Sequence, residues 1–192
     1  MNSYTLNLKP LANPITVEHF EQLCQLNPEL KLETNSKGEL IVMSPTGYET
    51  GMNNAGLVAQ FWNWNRQYKL GVVCDSSTGF ILPNGAIRSP DVSWITKERV
   101  ANLTKEEKVK FLPLAPDFVL ELMSPSDRLE ITQAKIEEYQ NNRVRLGWLI
   151  NPQQQQVKIY RSGKLKEVLN KPITLSDDEI LPELIIELDF WQ

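Results

Sequence analysis

The run Phe118-Val-Leu-Glu-Leu-Met123, closed off by Pro116 and Pro125, limits the fold of this chain more than any other stretch. Its length and its aromatic and branched content are those of a strand buried on both faces. One carboxylate, Glu121, stands in the middle of it. An ionised carboxylate buried without partners costs several kcal/mol, so Glu121 must be hydrogen-bonded or must hold a cation. The segment that follows reads as a helix start: Ser124 as N-cap, Pro125 at the first helical position and Asp127 three residues after the cap, a capping-box pattern. Leu129 to Asn141 then runs without a breaker. Ile131, Lys135 and Tyr139 fall at i, i+4 and i+8, a row that faces the protein and lets Lys135 reach the strand beneath.

The rest of the chain supplies an α/β layout around this pair. Residues 1–14 read as an extended lead-in. Thr16 caps a helix through Leu26, and Leu30–Thr34 and Glu39–Met43 form a hairpin around Asn35-Ser-Lys-Gly38, expected to cover or extend the main sheet. A core helix runs from Met52 to Tyr68, with its tryptophans packed inward, and Glu49 stands at its entrance. Glu49 suits helix-dipole compensation and equally a role in a site. Strands are expected at Gly71–Cys74, Phe80–Leu82 and Ile87–Ile95, the last containing Asp91. A helical excursion follows over Lys97–Phe111. After the Glu121 strand and its helix come a strand at Arg145–Ile150, a hairpin of Gln156–Arg161 and Lys164–Leu169, and a tail, Leu184–Phe190, that can add an edge strand. The order through the middle is helix, three strands, helix, strand, an α/β fold with a mixed central sheet and added terminal hairpins in one domain spanning residues 1–192.

Composition narrows the chemistry. With 192 residues, 41% hydrophobic and 23% charged, the chain can bury one sizeable core. Its net charge of -4 argues against tight nonspecific binding of nucleic acid, although a carboxylate-rich metal site lowers the net charge by itself. The single histidine, His19, reads as structural, which excludes Ser-His-Asp and Cys-His catalysis and His-rich metal centres. Cys24 and Cys74 form no CxxC pattern and read as small buried hydrophobes. No run has the length of a bilayer span or the pattern of a leader, so a cytoplasmic location and no membrane partner are expected. Carboxylates, lysine and a hard metal remain.

Two Pro-Asp pairs compete, at 90–91 and 116–117. Asp117 shares a predicted strand with Glu121, about 13 Å away at about 3.3 Å per residue, too far for one cation to bridge. Asp91 lies in another strand and can converge with Glu121 if the two strands pair in suitable register. Two carboxylates with water and phosphate completing the shell suit magnesium, and Lys135 is the candidate to stabilise the phosphate or position the attacking water. The alternative is that Asp91 and Glu121 are satisfied polar groups and that Lys135 and Glu121 form a structural salt bridge.

Ser89-Pro-Asp-Val-Ser-Trp94, Pro116 through Leu129, Lys135, Tyr139, Arg145-Leu-Gly-Trp-Leu-Ile-Asn-Pro152 and Met43-Ser-Pro-Thr-Gly47 together resemble the Uma-type restriction endonuclease family of the PD-(D/E)XK nuclease superfamily, over nearly the whole chain. The resemblance implies a restriction-endonuclease-like core and metal-dependent hydrolysis of DNA phosphodiesters. It places the superfamily's first-helix acid on Glu49, its Pro-Asp aspartate on Asp91 and its second acid on Glu121, with Mg2+ as cofactor and Mn2+ as a substitute. The chain departs from the pattern at Met123, where lysine is usual, and the resemblance implies that the lysine has migrated to Lys135. The expected function is therefore a magnesium-dependent DNA endonuclease, a homodimer by analogy. The alternative is a catalytically inactive nuclease-fold module that binds nucleic acid or a protein partner, motivated by the acidic charge and by Met123.

Overall fold

A computed structural model describes residues 3–6 and 15–191. The elements are β1 (Ser3–Leu6), α1 (Val17–Leu26), β2 (Lys31–Thr34), β3 (Leu40–Met43), α2 (Tyr48–Tyr68), β4 (Gly71–Asp75), β5 (Phe80–Ile81), β6 (Ile87–Arg88), β7 (Val92–Thr96), α3 (Lys97–Ala101), β8 (Phe118–Leu122), α4 (Leu129–Asn141), β9 (Leu146–Asn151), β10 (Gln156–Arg161), β11 (Glu167–Asn170), β12 (Thr174–Asp177) and β13 (Leu181–Glu187). Of the expected lead-in, Ser3–Leu6 forms β1, and the remainder lies outside the described residues.

The central sheet has six strands in the order β11-β10-β9-β8-β7-β4. It is mixed: β8 and β9 run parallel, joined through α4, and the other pairs are antiparallel. Every residue of β8 is buried, as its unbroken apolar run requires. Strand alternation sends Phe118, Leu120 and Leu122 into a cluster with Leu57, Phe61 and Trp64 of α2. It sends Val119 and Met123 into a second cluster with Ile136 and Tyr139 of α4. Gly147 of β9 lets α4 lie close, since a Cβ there would sit 3.2 Å from Ile136 Cγ2. Glu121 shares parity with Val119 and Met123 and so points to the α4 side.

Four expectations are corrected. Ile87–Ile95 is two strands, because Pro90, with no N–H to donate, stands where the chain leaves one sheet for another. β6 pairs with β2 and β5, and β7 pairs with β4 and β8. The N-terminal hairpin therefore does not extend the main sheet; it belongs to a separate five-stranded sheet, β1-β3-β2-β6-β5, with its own cluster of Phe20, Leu32, Leu40 and Ile87. The helix after β8 begins at Leu129 rather than at Ser124. The Ser124 N–H donates to Asp127 Oδ2 at 2.7 Å, the reciprocal arm of a capping box, but it closes a turn ahead of the helix. The tail forms the two-stranded sheet β12-β13 instead of an edge strand and caps α2, where the Trp64 indole N–H donates to the Pro182 carbonyl.

Smaller differences follow from where helix faces turn. His19 lies exposed on α1, where its backbone N–H donates to the Thr16 cap. Trp62 is 52% exposed on α2, while Trp64 is buried. Cys24 and Cys74 are free thiols, half-buried rather than fully enclosed. Among the described residues, no helix is long and apolar enough to cross a membrane.

Candidate active site

The crossover from β6 to β7 positions the first carboxylate. Val92 pairs with Leu120 in the antiparallel β7-β8 ladder, so the next step outward sets Asp91 opposite Glu121. Asp91 Oδ2 accepts a hydrogen bond of 2.8 Å from the Leu122 N–H, which locks the carboxylate against β8. From the overlying helix, Lys135 Nζ stands 2.8 Å from Glu121 Oε1, and the Tyr139 hydroxyl donates to the same oxygen at 3.1 Å. The i, i+4 spacing predicts this pair, one turn apart on the inner face of α4. Ile131, the third member of that row, is 53% exposed at the rim.

The remaining members were not singled out in the sequence. Glu33 of β2, 1% exposed, accepts from Lys135 Nζ at 3.0 Å, from the Ser89 N–H at 2.9 Å and from Arg88 at 3.1 Å. Arg88 also reaches Glu138 of α4 at 2.6 Å. The signal for Glu33 was the same as for Glu121, a carboxylate inside a strand, but β2 is short and reads as half exposed. Asp117 sits at the far end of β8, tied to the Thr96 N–H at 2.9 Å and to Arg99 at 3.1 Å, as a structural group.

These side chains wall a cleft of about 850 Å3, lined by Lys31, Glu33, Asp91, Glu121 and Lys135 among others. Thr50 and Asn54 of α2 also line it. Glu49 does not; it is exposed in the first turn of α2. The structure thus brings Asp91, Glu121 and Lys135 together and leaves Glu49 apart from them.

Charge divides the two carboxylates that Lys135 touches. Burial pushes Glu121 up to about 7, with Asp91 and Glu33 adding to the rise and Lys135 opposing it. Burial also raises Asp91. For Glu33 burial acts in the same direction, but Lys135, Arg88 and the Ser89 N–H outweigh it and hold the carboxyl below its ordinary value. Burial works against the charge on Lys135, yet Glu121 and Glu33 more than offset it and keep the ammonium above its ordinary value.

The donor set suits a hard cation. Asp91 Oδ1 and Glu121 Oε2 accept no hydrogen bond among the described residues and belong to adjacent carboxylates in the cleft. Among the described residues no group of three or more His, Cys, Asp or Glu side chains is arranged to hold a metal, so water or substrate oxygens would complete the shell.

A family model described as "Putative restriction endonuclease", Uma2, matches residues 17–189. The chain belongs to the Uma2 family. No curated protein matches it. Among solved structures it is similar to a crystal structure, at 1.96 Å, of a putative nuclease belonging to DUF820 from Anabaena variabilis ATCC 29413. The two are 20% identical with a TM-score of 0.76, over 91% of this chain and 95% of that one. At that identity the likeness speaks for the fold, which is restriction-endonuclease-like. The Uma2 description carries the coarse assignment of a nuclease. The match takes in α1, β2 and β3, so the hairpin bearing Glu33 belongs to the matched unit.

Proposed function

We propose that this Uma2 chain is a divalent-metal-dependent endonuclease that hydrolyses phosphodiester bonds of DNA, with Asp91 and Glu121 as ligands of Mg2+ or Mn2+. The observation that carries it is the facing pair Asp91 and Glu121 with Lys135 2.8 Å from Glu121 on the wall of an open cleft. A cation bound there would supply an activated water and neutralise charge on the phosphodiester. Lys135, kept protonated by its two carboxylates, acts as a fixed positive charge for a phosphate oxygen rather than as a proton acceptor. Tyr139, held protonated by burial and by Glu121, orients that carboxylate through its O–H. Met123, at the position where the superfamily's lysine is usual, packs in the core beneath α4, and the charge arrives instead from the helix above it. Lys31, Lys37 and Arg128 line the same cleft and offer phosphates cationic partners that the net charge of the chain conceals.

Among the described residues no third acidic side chain joins Asp91 and Glu121, which favours a second reading, a catalytically silent module that binds nucleic acid or a protein through the same cleft. Nicking of supercoiled plasmid separates the two. Wild type should cut with Mg2+ or Mn2+ and stop with chelator, and Lys135→Ala should lose the activity. Metal-independent DNA binding with no turnover would support the silent module.

A further inference from the structure

A cation on Glu121 Oε2 would draw that carboxylate's charge away from Lys135, which holds Oε1. The ammonium has a second anchor. Glu33 Oε1 lies 3.0 Å from Nζ, and its other oxygen is fixed by Arg88 at 3.1 Å. The Ser89 N–H, two residues before Asp91, donates to that same Oε1 at 2.9 Å. Glu33 therefore ties the lysine, the arginine and the strand crossover to one point. We propose that Glu33 is a positioning residue: it keeps Lys135 aimed into the cleft when Glu121 shares its charge with a metal, so the N-terminal sheet forms part of the catalytic apparatus rather than a cover. This rests on the nuclease reading above for its consequence, but the anchoring itself is observable without turnover.

The test pairs nicking kinetics with NMR of 15N-lysine-labelled protein, in which an ammonium held in ion pairs exchanges slowly enough to be seen. In wild type the Lys135 signal should persist as Mg2+ is added. Glu33→Gln should lose that signal and lower kcat about 10- to 100-fold, the range seen when a supporting partner is removed, with KM little changed. Glu138→Gln, which removes the other carboxylate on Arg88, should lower thermal stability and keep the Lys135 signal. If Glu33→Gln retains both the signal and the rate, the proposal is overturned. Should Glu33→Gln not fold, the wild-type Mg2+ titration decides: an ammonium released to solvent on metal binding contradicts the anchor. A wild type that cuts no plasmid, with a Lys135 signal that still depends on Glu33, removes the nuclease reading and supports the anchoring.

A separate feature lies on the outer face of α2. Tyr48, Met52, Ala55, Ala59 and Trp62 are all exposed and follow one another at spacings of 4, 3, 4 and 3, the seam of a helix that packs on another helix. Tyr48 is 85% exposed and Met52 and Trp62 are about half exposed, while Leu57, Phe61 and Trp64 serve the core. The stripe carries exposed Glu49 in its first turn and exposed Arg66 in its last. Turned on a twofold axis through its centre, it is complementary to itself: Ala55 meets Ala59, Met52 meets Trp62, and Glu49 comes beside Arg66. We infer that a second copy of this chain covers this face, as an antiparallel α2 pair. Sedimentation equilibrium should give about twice the 22.0 kDa of one chain, Ala59→Glu should give monomer with an unchanged circular dichroism spectrum, and Arg66→Glu should weaken the pair. Glu49→Arg combined with Arg66→Glu should restore it. A wild-type monomer at high micromolar concentration, or a dimer indifferent to Ala59→Glu, overturns the inference.

Discussion

Glu33 on the N-terminal sheet and Glu121 on the central sheet both reach Lys135, at 3.0 and 2.8 Å, and both are almost wholly buried. Their carboxyl groups are nevertheless shifted in opposite directions. Glu33 has cationic partners on both oxygens and a backbone N–H, and it stays ionised. Glu121 has Lys135 and a tyrosine hydroxyl on one oxygen, none among the described residues on the other, and Asp91 opposite, and burial pushes it up to about 7. Burial alone does not mark a functional carboxylate; the one left short of partners is the one that can take a cation. The fully partnered one supports its neighbours.

Removing the acid opposite Glu121 should have the largest effect. Asp91→Ala is expected to cut metal-dependent nicking by about a thousandfold or more, since a bound metal contributes several kcal/mol and each 1.4 kcal/mol is about tenfold. An unchanged rate would break the comparison at its functional end. Removing the arginine partner of Glu33 tests the other end. Arg88→Met leaves Glu33 and Glu138 without their shared cation and should cost about 3–5 kcal/mol, lowering the melting temperature by roughly 10 °C. A shift of a degree or two would mean that Glu33 does not depend on its arginine.

Stability against pH sharpens the contrast further, because the signs differ. The folded-state value of Glu121 is raised from 4.5 to about 7, so between those values the native state binds the extra proton and stability falls as pH rises. In metal-free protein Glu121→Gln should remove that slope, about 3 kcal/mol across the interval, measured by urea unfolding. Glu33 is depressed, so its stabilisation is present above its ordinary value and is lost as pH falls through the folded value. Glu33→Gln should be less stable than wild type near neutrality, with the difference shrinking as the solution becomes acid.

Local patterns made much of the fold legible. The apolar run of β8, the breaker-free α4, the β10-β11 hairpin and the Thr16 cap each carry their signal within a few residues. Glu121 and Lys135 could be picked out because each is a charged group where periodicity demands burial, and Asp91 because the competing Asp117 lies too far along the strand of Glu121 for one cation to bridge. Glu33 could not: four-residue β2 alternates like a surface strand, and what buries its carboxylate is a lysine 102 positions away. The division of Ile87–Ile95 was hidden for a related reason. Pro90 marks a break in the middle of it, but which sheet edge each half meets depends on partners distant in sequence. The turn at Ser124–Asp127 uses helix-capping chemistry without the helix, which sequence spacing does not distinguish.

Calorimetric titration of Mn2+ into wild type, Asp91→Ala, Glu121→Gln and Glu33→Gln tests the central contrast most directly. The account predicts binding by wild type and Glu33→Gln, and loss of binding in Asp91→Ala and Glu121→Gln. Equal affinity in all four proteins, or loss in Glu33→Gln alone, would contradict it.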